Sequence, residues 1–255
     1  MTTALIVVAV VAAALLGVLR LSRVERARQT RAARQFARRN GLSFTVRDDS
    51  LPDRWRGCKG VFSAISVDRE ARNVIRGEWR RRSVVVFDYT YWTYGDLSEV
   101  LTGEHEPSQS ADMPSELAAS VAGFEFAHFT VIAMDAGAVF PALNVVPETI
   151  QSKLPFSNID LESEEFNRAF WVFGPDREFA SNLLTPQMME LLLCEPHIGW
   201  RMCGSDLMIV RPGHVPENDI LLGLDLLARS IDLIPEHLKV DAGRSTPSPP
   251  RLGPV

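Results

Sequence analysis

The chain has 255 residues, 46% of them hydrophobic and 23% charged, with a formal net charge of -5. That length and balance exclude a disordered or fibrous chain and allow a folded body of one domain or two packed ones. Three cysteines without regular spacing exclude a disulfide framework, and an acidic body without a recognition motif excludes a general nucleic-acid binder.

Residues 1–19 read as a transmembrane helix. Thr2 to Leu19 carries no charged side chain, and eighteen residues at about 1.5 Å each rise about 27 Å, close to the roughly 30 Å hydrocarbon layer of a bilayer. A cleaved signal would carry positive charge before the apolar run, and a soluble core helix would need burial on every side. Eight arginines and one acid follow between Arg20 and Arg39. Such residues stay on the cytoplasmic side, so the expected topology is a single-pass protein of the cell membrane, with its amino terminus outside and its C-terminal domain cytoplasmic. Residues 20–41 form an Arg-rich juxtamembrane stem helix, stopped by Asn40-Gly41. Cys58, Cys194 and Cys203 read as thiols, in keeping with a reducing compartment.

Charge is sorted along the chain. Residues 1–82 hold 18 Lys and Arg against 7 Asp and Glu, and residues 83–255 hold 9 against 25, so +11 and -16 make up the net -5. A basic first part suits an anionic surface, where each arginine contributes about 1 kcal/mol. The lipid-contact candidates are Arg20, Arg23, Arg26, Arg28 and Arg31 on the stem, with Arg80, Arg81 and Arg82 further on. The plainer alternative is that the stem arginines fix orientation and keep a helix solvated, while Arg80 to Arg82 form a basic edge that blocks strand aggregation.

Residues 42–240 make up an α+β soluble domain, with a mainly antiparallel sheet and helices grouped late in the chain. Its first stretch, 42–82, is broken by Pro52, Gly57 and Gly60 and reads as loop-rich before a hairpin of Arg72 to Trp79 and Ser83 to Thr93. Segment 96–120 is acidic and rich in Ser and Pro, a mobile loop by composition. Phe124 to Asp135 and Val139 to Val146 read as two strands divided near Gly137, and Leu161 to Phe173 as a further strand. Thr185-Pro186 opens a helix whose buried side holds Met188, Met189 and Leu191 to Leu193. Trp200 to Cys203 and Leu207 to Arg211 flank Gly204-Ser205 as a hairpin. Glu217 and Asp219 open a last helix with Ile220, Leu224, Leu227 and Ile231 at helical spacing, ended by Pro235. Residues 241–255 form a disordered tail rich in proline.

LESEEFNRAFWV at Leu161 to Val172, FASNLLTPQMMELL at Phe179 to Leu192 and DLMIV at Asp206 to Val210 resemble the bacterial family called domain of unknown function thirty-one thirty-seven. NVIRG from Asn73 and VFDY from Val86 are similar to the hairpin of actinobacterial members that begin with a membrane segment. The resemblance implies an uncharacterised membrane-associated protein and carries over no catalytic residue.

In strand alternation Val85, Phe87, Tyr89 and Tyr91 face one way, and Val86, Asp88, Thr90 and Trp92 the other. Asp88 and Trp92 are therefore the ligand-groove candidates, against the alternative of a strand buried on both faces. Asp160, Glu162, Glu164 and Glu165 could serve acid-base chemistry or bind a divalent cation, yet such a cluster also suits a helix start or a solvated face. Cys194, His197, Cys203 and His214 have weak zinc spacing, so no metal and no cofactor is expected. The common hydrolase, nucleotide-binding and zinc-protease motifs are absent from the sequence.

The leading reading is a noncatalytic module that binds a protein or lipid partner, membrane lipid included and nucleic acid excluded. Its alternatives are a membrane-bound enzyme using Asp88 or the Glu162 to Glu165 carboxylates, and a structural envelope component.

Overall fold

The computed structural model describes residues 24–56, 58, 62, 66–94, 124–148 and 158–239. The apolar segment 1–19, Arg20, Arg23, the acidic loop 96–120 and the tail 241–255 lie outside them. Among the described residues no helix is long and apolar enough to cross a membrane.

Helix α1 covers residues 24–39, the larger part of the expected stem. It ends at Asn40-Gly41, where the Leu42 amide donates to the Ala37 carbonyl at 2.8 Å and the Gly41 amide to Arg38 at 3.4 Å. These two bonds satisfy carbonyls that the helix end would leave open. Phe36 and Ala37, near that end, are 1% and 0% exposed. The stem is thus part of the folded body, and its packing begins within a turn of the glycine.

Six strands make one sheet, and every pairing among the described residues is antiparallel. The order runs β1 (Ser43–Arg47), β2 (Ser66–Trp79), β3 (Arg82–Tyr94) and β4 (Phe124–Pro147), with β5 (Phe170–Phe173) and β6 (Trp200–Pro212) both paired to β4. Helices α2 (Glu164–Ala169), α3 (Arg177–Leu183), α4 (Pro186–Leu193) and α5 (Glu217–Asp232) come late, as the α+β reading expects. Thr185 caps α4, its hydroxyl accepting from the Met188 amide at 3.3 Å. Ile220, Leu224, Leu227 and Ile231 of α5 are all buried.

Several boundaries differ from the expected ones, each for a local reason. The loop-rich stretch contains β1, an edge strand of five residues, SFTVR, whose side chains are mostly exposed and whose alternation of Phe44 and Val46 is too short to stand out. Strand β2 begins at Ser66, well before Arg72. Its alternation is broken by two register shifts, between Val67 and Glu70 and between Arg72 and Ile75, where Asp68 and Asn73 adopt positive φ of 58° and 51°. Gly137 and Gly204, read as turns, are bends inside long strands: their φ values are 81° and 61°, and β4 and β6 shift register together between Asp135 and Leu143. A chain that bulges here continues instead of reversing. The Leu161 to Phe173 strand is only its last four residues, because Ser163 accepts from the Phe166 amide at 3.2 Å and starts α2 with Glu164 and Glu165 in its first turn.

The sheet is buried on both faces. One face, with Val84, Val86 and Ile132, packs against α1, α4 and α5. The other gathers Trp55, Phe62, Phe87, Tyr89, Tyr91 and Phe129 into an aromatic cluster, in which Trp55 stacks on Phe87 at 5.6 Å and 4°. Trp55 belongs to a 3-10 turn, Leu51–Trp55, that caps this cluster. Buried Asp206 of β6 holds the turn, accepting from Arg54 Nη2 and Trp55 Nε1, each at 2.8 Å.

Contrary to the expectation from the sequence, the three cysteines are not all thiols. Cys58 and Cys203 form a disulfide with Cα atoms 6.0 Å apart, and Cys194 alone stays free. An odd cysteine count leaves room for one pair, and a separation of 145 residues hides that pair from any reading of spacing. The bond fastens the segment after the 3-10 turn to β6, where Asp206 also holds it. With two of the three cysteines bonded, cysteine usage does not indicate a reducing compartment.

Candidate functional site

Asp88 is the centre of the site, and the register explains why. It lies opposite Arg72 of β2 and Thr130 of β4, while His128 lies opposite Thr90. The irregular backbone at Asn73 turns that side chain toward Asp88, and Asn73 Nδ2 donates to Asp88 Oδ2 at 2.7 Å. Just beyond β6, His214 brings Nδ1 to 3.4 Å from Asp88 Oδ1, and His128 Nε2 stands 3.7 Å from the same oxygen. Thr130 Oγ1 lies 3.3 Å from Asp88 Oδ1, donates to the Gly213 carbonyl at 2.8 Å and accepts from the Val215 amide at 3.1 Å. One carboxylate, 7% exposed, thereby ties β2, β3 and β4 to the turn that leads into α5.

The charge state follows from these contacts. Burial pushes the Asp88 carboxyl up, but hydrogen bonds from His128, His214 and Asn73, with the charge of His214, hold it well below the usual carboxylate range. For His214 the hydrogen bond to Asp88 is the largest influence; it raises the imidazole above its ordinary value against the opposing effect of burial. The pair can therefore hold a proton on His214 against an ionised Asp88.

Above this carboxylate is a cavity of about 400 Å³. Its floor is Asn73, Asp88 and His128. Asp68, Glu70 and Arg72 of β2 form one wall, and Thr90 and Trp92 of β3 another. The last wall is the first turns of α1, through Glu25, Arg26, Gln29 and Thr30. Glu70 is held by Arg47 at 2.6 Å and Arg72 at 3.1 Å. Trp92 is 42% exposed. A second gap, about 30 Å³, lies deeper between α1 and the sheet and shares Asn73 and Asp88 with the first.

The structure brings Asp88 and Trp92 into one cavity, and Arg26 with them. Arg28 and Arg31 are exposed elsewhere on α1. The three consecutive arginines stand at the opposite end of β3, where Arg80 pairs with Asp225 at 3.1 Å and Arg82 with Asp232 at 2.8 Å, leaving Arg81 exposed in the turn. Glu162, Glu164 and Glu165 are exposed around the start of α2, away from the cavity. The zinc set is dispersed, since Cys203 is bonded to Cys58 and His214 faces Asp88, and no metal-holding group occurs among the described residues. Sequence reasoning missed His128, His214 and Asn73 as partners of Asp88. His128 could have been found by placing the third strand in register with the hairpin.

Chemically, a histidine and carboxylate pair can shuttle a proton. Thr130 is the hydroxyl at Asp88, and its own hydrogen bonds to Gly213 and Val215 occupy it.

Residues 122–197 match the family model described as Protein of unknown function (DUF3137), which bears out the resemblance over the stretch from β4 to α4. No curated protein matches the chain. Among solved structures, the mycobacterial trehalose monomycolate transport factor A, TtfA, is similar with a TM-score of 0.52 and 16% identity, over 80% of this chain and 93% of that one. At that identity the likeness is one of fold. The family match takes in His128 and Thr130 but ends before His214 and begins after Asp88.

Proposed function

We propose that this chain is a membrane-tethered, noncatalytic module that binds lipid at the membrane face and serves glycolipid transport. One observation carries the reading: the cavity is walled by the first turns of α1, and Glu25 lies six residues after the apolar segment ends at Leu19. Six residues reach about 20 Å at full extension, so the cavity stays within a short covalent tether of any bilayer that holds that segment. The name of TtfA, a protein of similar fold, points to trehalose monomycolate as the kind of cargo.

The eight stem arginines place the domain on the cytoplasmic side in this proposal. The Cys58–Cys203 bond counts against that side, because such bonds persist mainly in oxidising compartments. A reporter fused after Val255 separates the two.

The binding reading is tested by extracting the full-length chain from native membrane in mild detergent and identifying the lipids that stay with it by mass spectrometry. Glycolipid enriched over the bulk membrane is the expected result. A co-purifying lipid profile identical to that of the bulk membrane sinks the proposal.

A further inference from the structure

Resting on that lipid reading, we infer that the Asp88 cavity is a carbohydrate site, taking a neutral, hydroxyl-rich head group while the tails of the lipid remain in the bilayer. The chemistry of the walls selects this class by elimination. An anionic head group would face Glu25, Asp68, Glu70 and Asp88, a cation would meet Arg26 and find Glu70 and Asp88 already paired with Arg47, Arg72 and His214, and an apolar ligand would meet charge from α1, from β2 and on the floor. A sugar hydroxyl both donates and accepts, and the lining carries both kinds of group: Arg26 and Arg72 have several N–H donors each, and Glu25 and Asp68 have carboxylate acceptors. Trp92, exposed on the wall by 42%, offers a flat apolar surface for the C–H face of a ring. At about 400 Å³ the cavity falls in the usual range of small-molecule sites, roughly 300–1,000 Å³, and is far too small for an acyl chain in addition to a disaccharide.

The experiment uses the full-length chain and phosphatidylcholine nanodiscs with or without a diglucosyl diacylglycerol, with free maltose as competitor. The wild-type chain prefers the glycolipid discs, and Trp92→Ala and Arg26→Ala each weaken that preference by about tenfold or more. Both positions are exposed enough to be changed without unfolding, and Val46→Thr, on the edge strand, serves as the unaltered comparison. Competition by maltose assigns recognition to the sugar alone; loss in the two variants without competition assigns it to the lipid-borne sugar. Wild-type preference that survives both substitutions overturns the cavity assignment but leaves the lipid reading standing. Equal or greater binding to phosphatidylglycerol discs lacking sugar overturns it in favour of an anionic head group. No preference for lipid of any kind removes the lipid reading itself.

Discussion

Replacing Cys203 by Ser, or reducing the Cys58–Cys203 bond, lowers the stability of the folded domain by as much as about 5 kcal/mol. The bond closes a separation of 145 residues, and the chain-entropy model assigns about 5 kcal/mol to a loop of that length. Retained structure in the reduced unfolded chain makes the measured loss smaller. The loss is not confined to the unfolded state, because the bond also presses the capping turn onto the sheet. Trp55 and Phe62 leave the aromatic cluster if that turn lifts, and the buried carboxylate of Asp206 loses Arg54 and Trp55. Denaturant midpoints of the wild-type chain with and without reductant read the effect directly. Equal midpoints would show that the Asp206 contacts alone hold the turn.

Substituting Asp88 by Ala costs about 3 kcal/mol or more, since it strips the partner from His214 and leaves the Asn73 amide without its acceptor. Its pH dependence is the sharper test. Asp88 is held below the usual carboxylate range, so its contribution is present above about pH 4 and declines as pH falls further. His214 is raised, so its contribution is complete below about pH 6.5 and is lost as pH rises through the raised value. Wild-type stability from this pair therefore has a plateau between about pH 4 and 6.5 and falls on both sides. Asp88→Asn keeps the shape of the side chain and removes the charge, and it flattens both limbs. Retention of either limb in Asp88→Asn would locate that limb at another group.

The elements that were legible in the sequence are those whose burial repeats at a fixed period. Helix α5 showed itself through Ile220, Leu224, Leu227 and Ile231, and α4 through its Thr185-Pro186 start. Strand β3 showed itself because its two faces differ: Phe87, Tyr89 and Tyr91 enter the aromatic cluster, while Asp88, Thr90 and Trp92 line the cavity. What stayed hidden depends on contacts distant in sequence. Strand β1 is an exposed edge defined by its pairing with β2, and the alternation of Phe44 and Val46 in SFTVR is too short to stand out by itself. Glycine in a long strand and glycine in a turn share a positive φ, so Gly137 and Gly204 could be told apart only by the partner strand. Asp88 stood out as a charge among aromatics, yet its meaning comes from His128 and His214, which are 40 and 126 residues away.

The same comparison explains the basic residues. Arginines grouped as lipid-contact candidates are separated in function by the fold: Arg80 and Arg82 serve α5, whereas Arg26 faces the cavity. Helix α1 is also tied by Arg39 to Glu217 at the start of α5, at 2.7 Å to each carboxylate oxygen. The stem helix expected from the sequence is thus a wall of the site, and any shift of α1 relative to the sheet changes the cavity.

Contact between the cavity and lipid in native membrane decides whether the site holds a lipid-borne sugar. A photoreactive phenylalanine analogue placed at position 92 of the full-length chain is irradiated in intact cells, with the same group at exposed position 81 as comparison. Position 81 lies at the far end of β3, roughly 35 Å along the strand. A lipid adduct bearing sugar at 92 and not at 81 is the predicted result. Adducts to protein alone at 92, or sugar-bearing lipid captured equally at both positions, would contradict it.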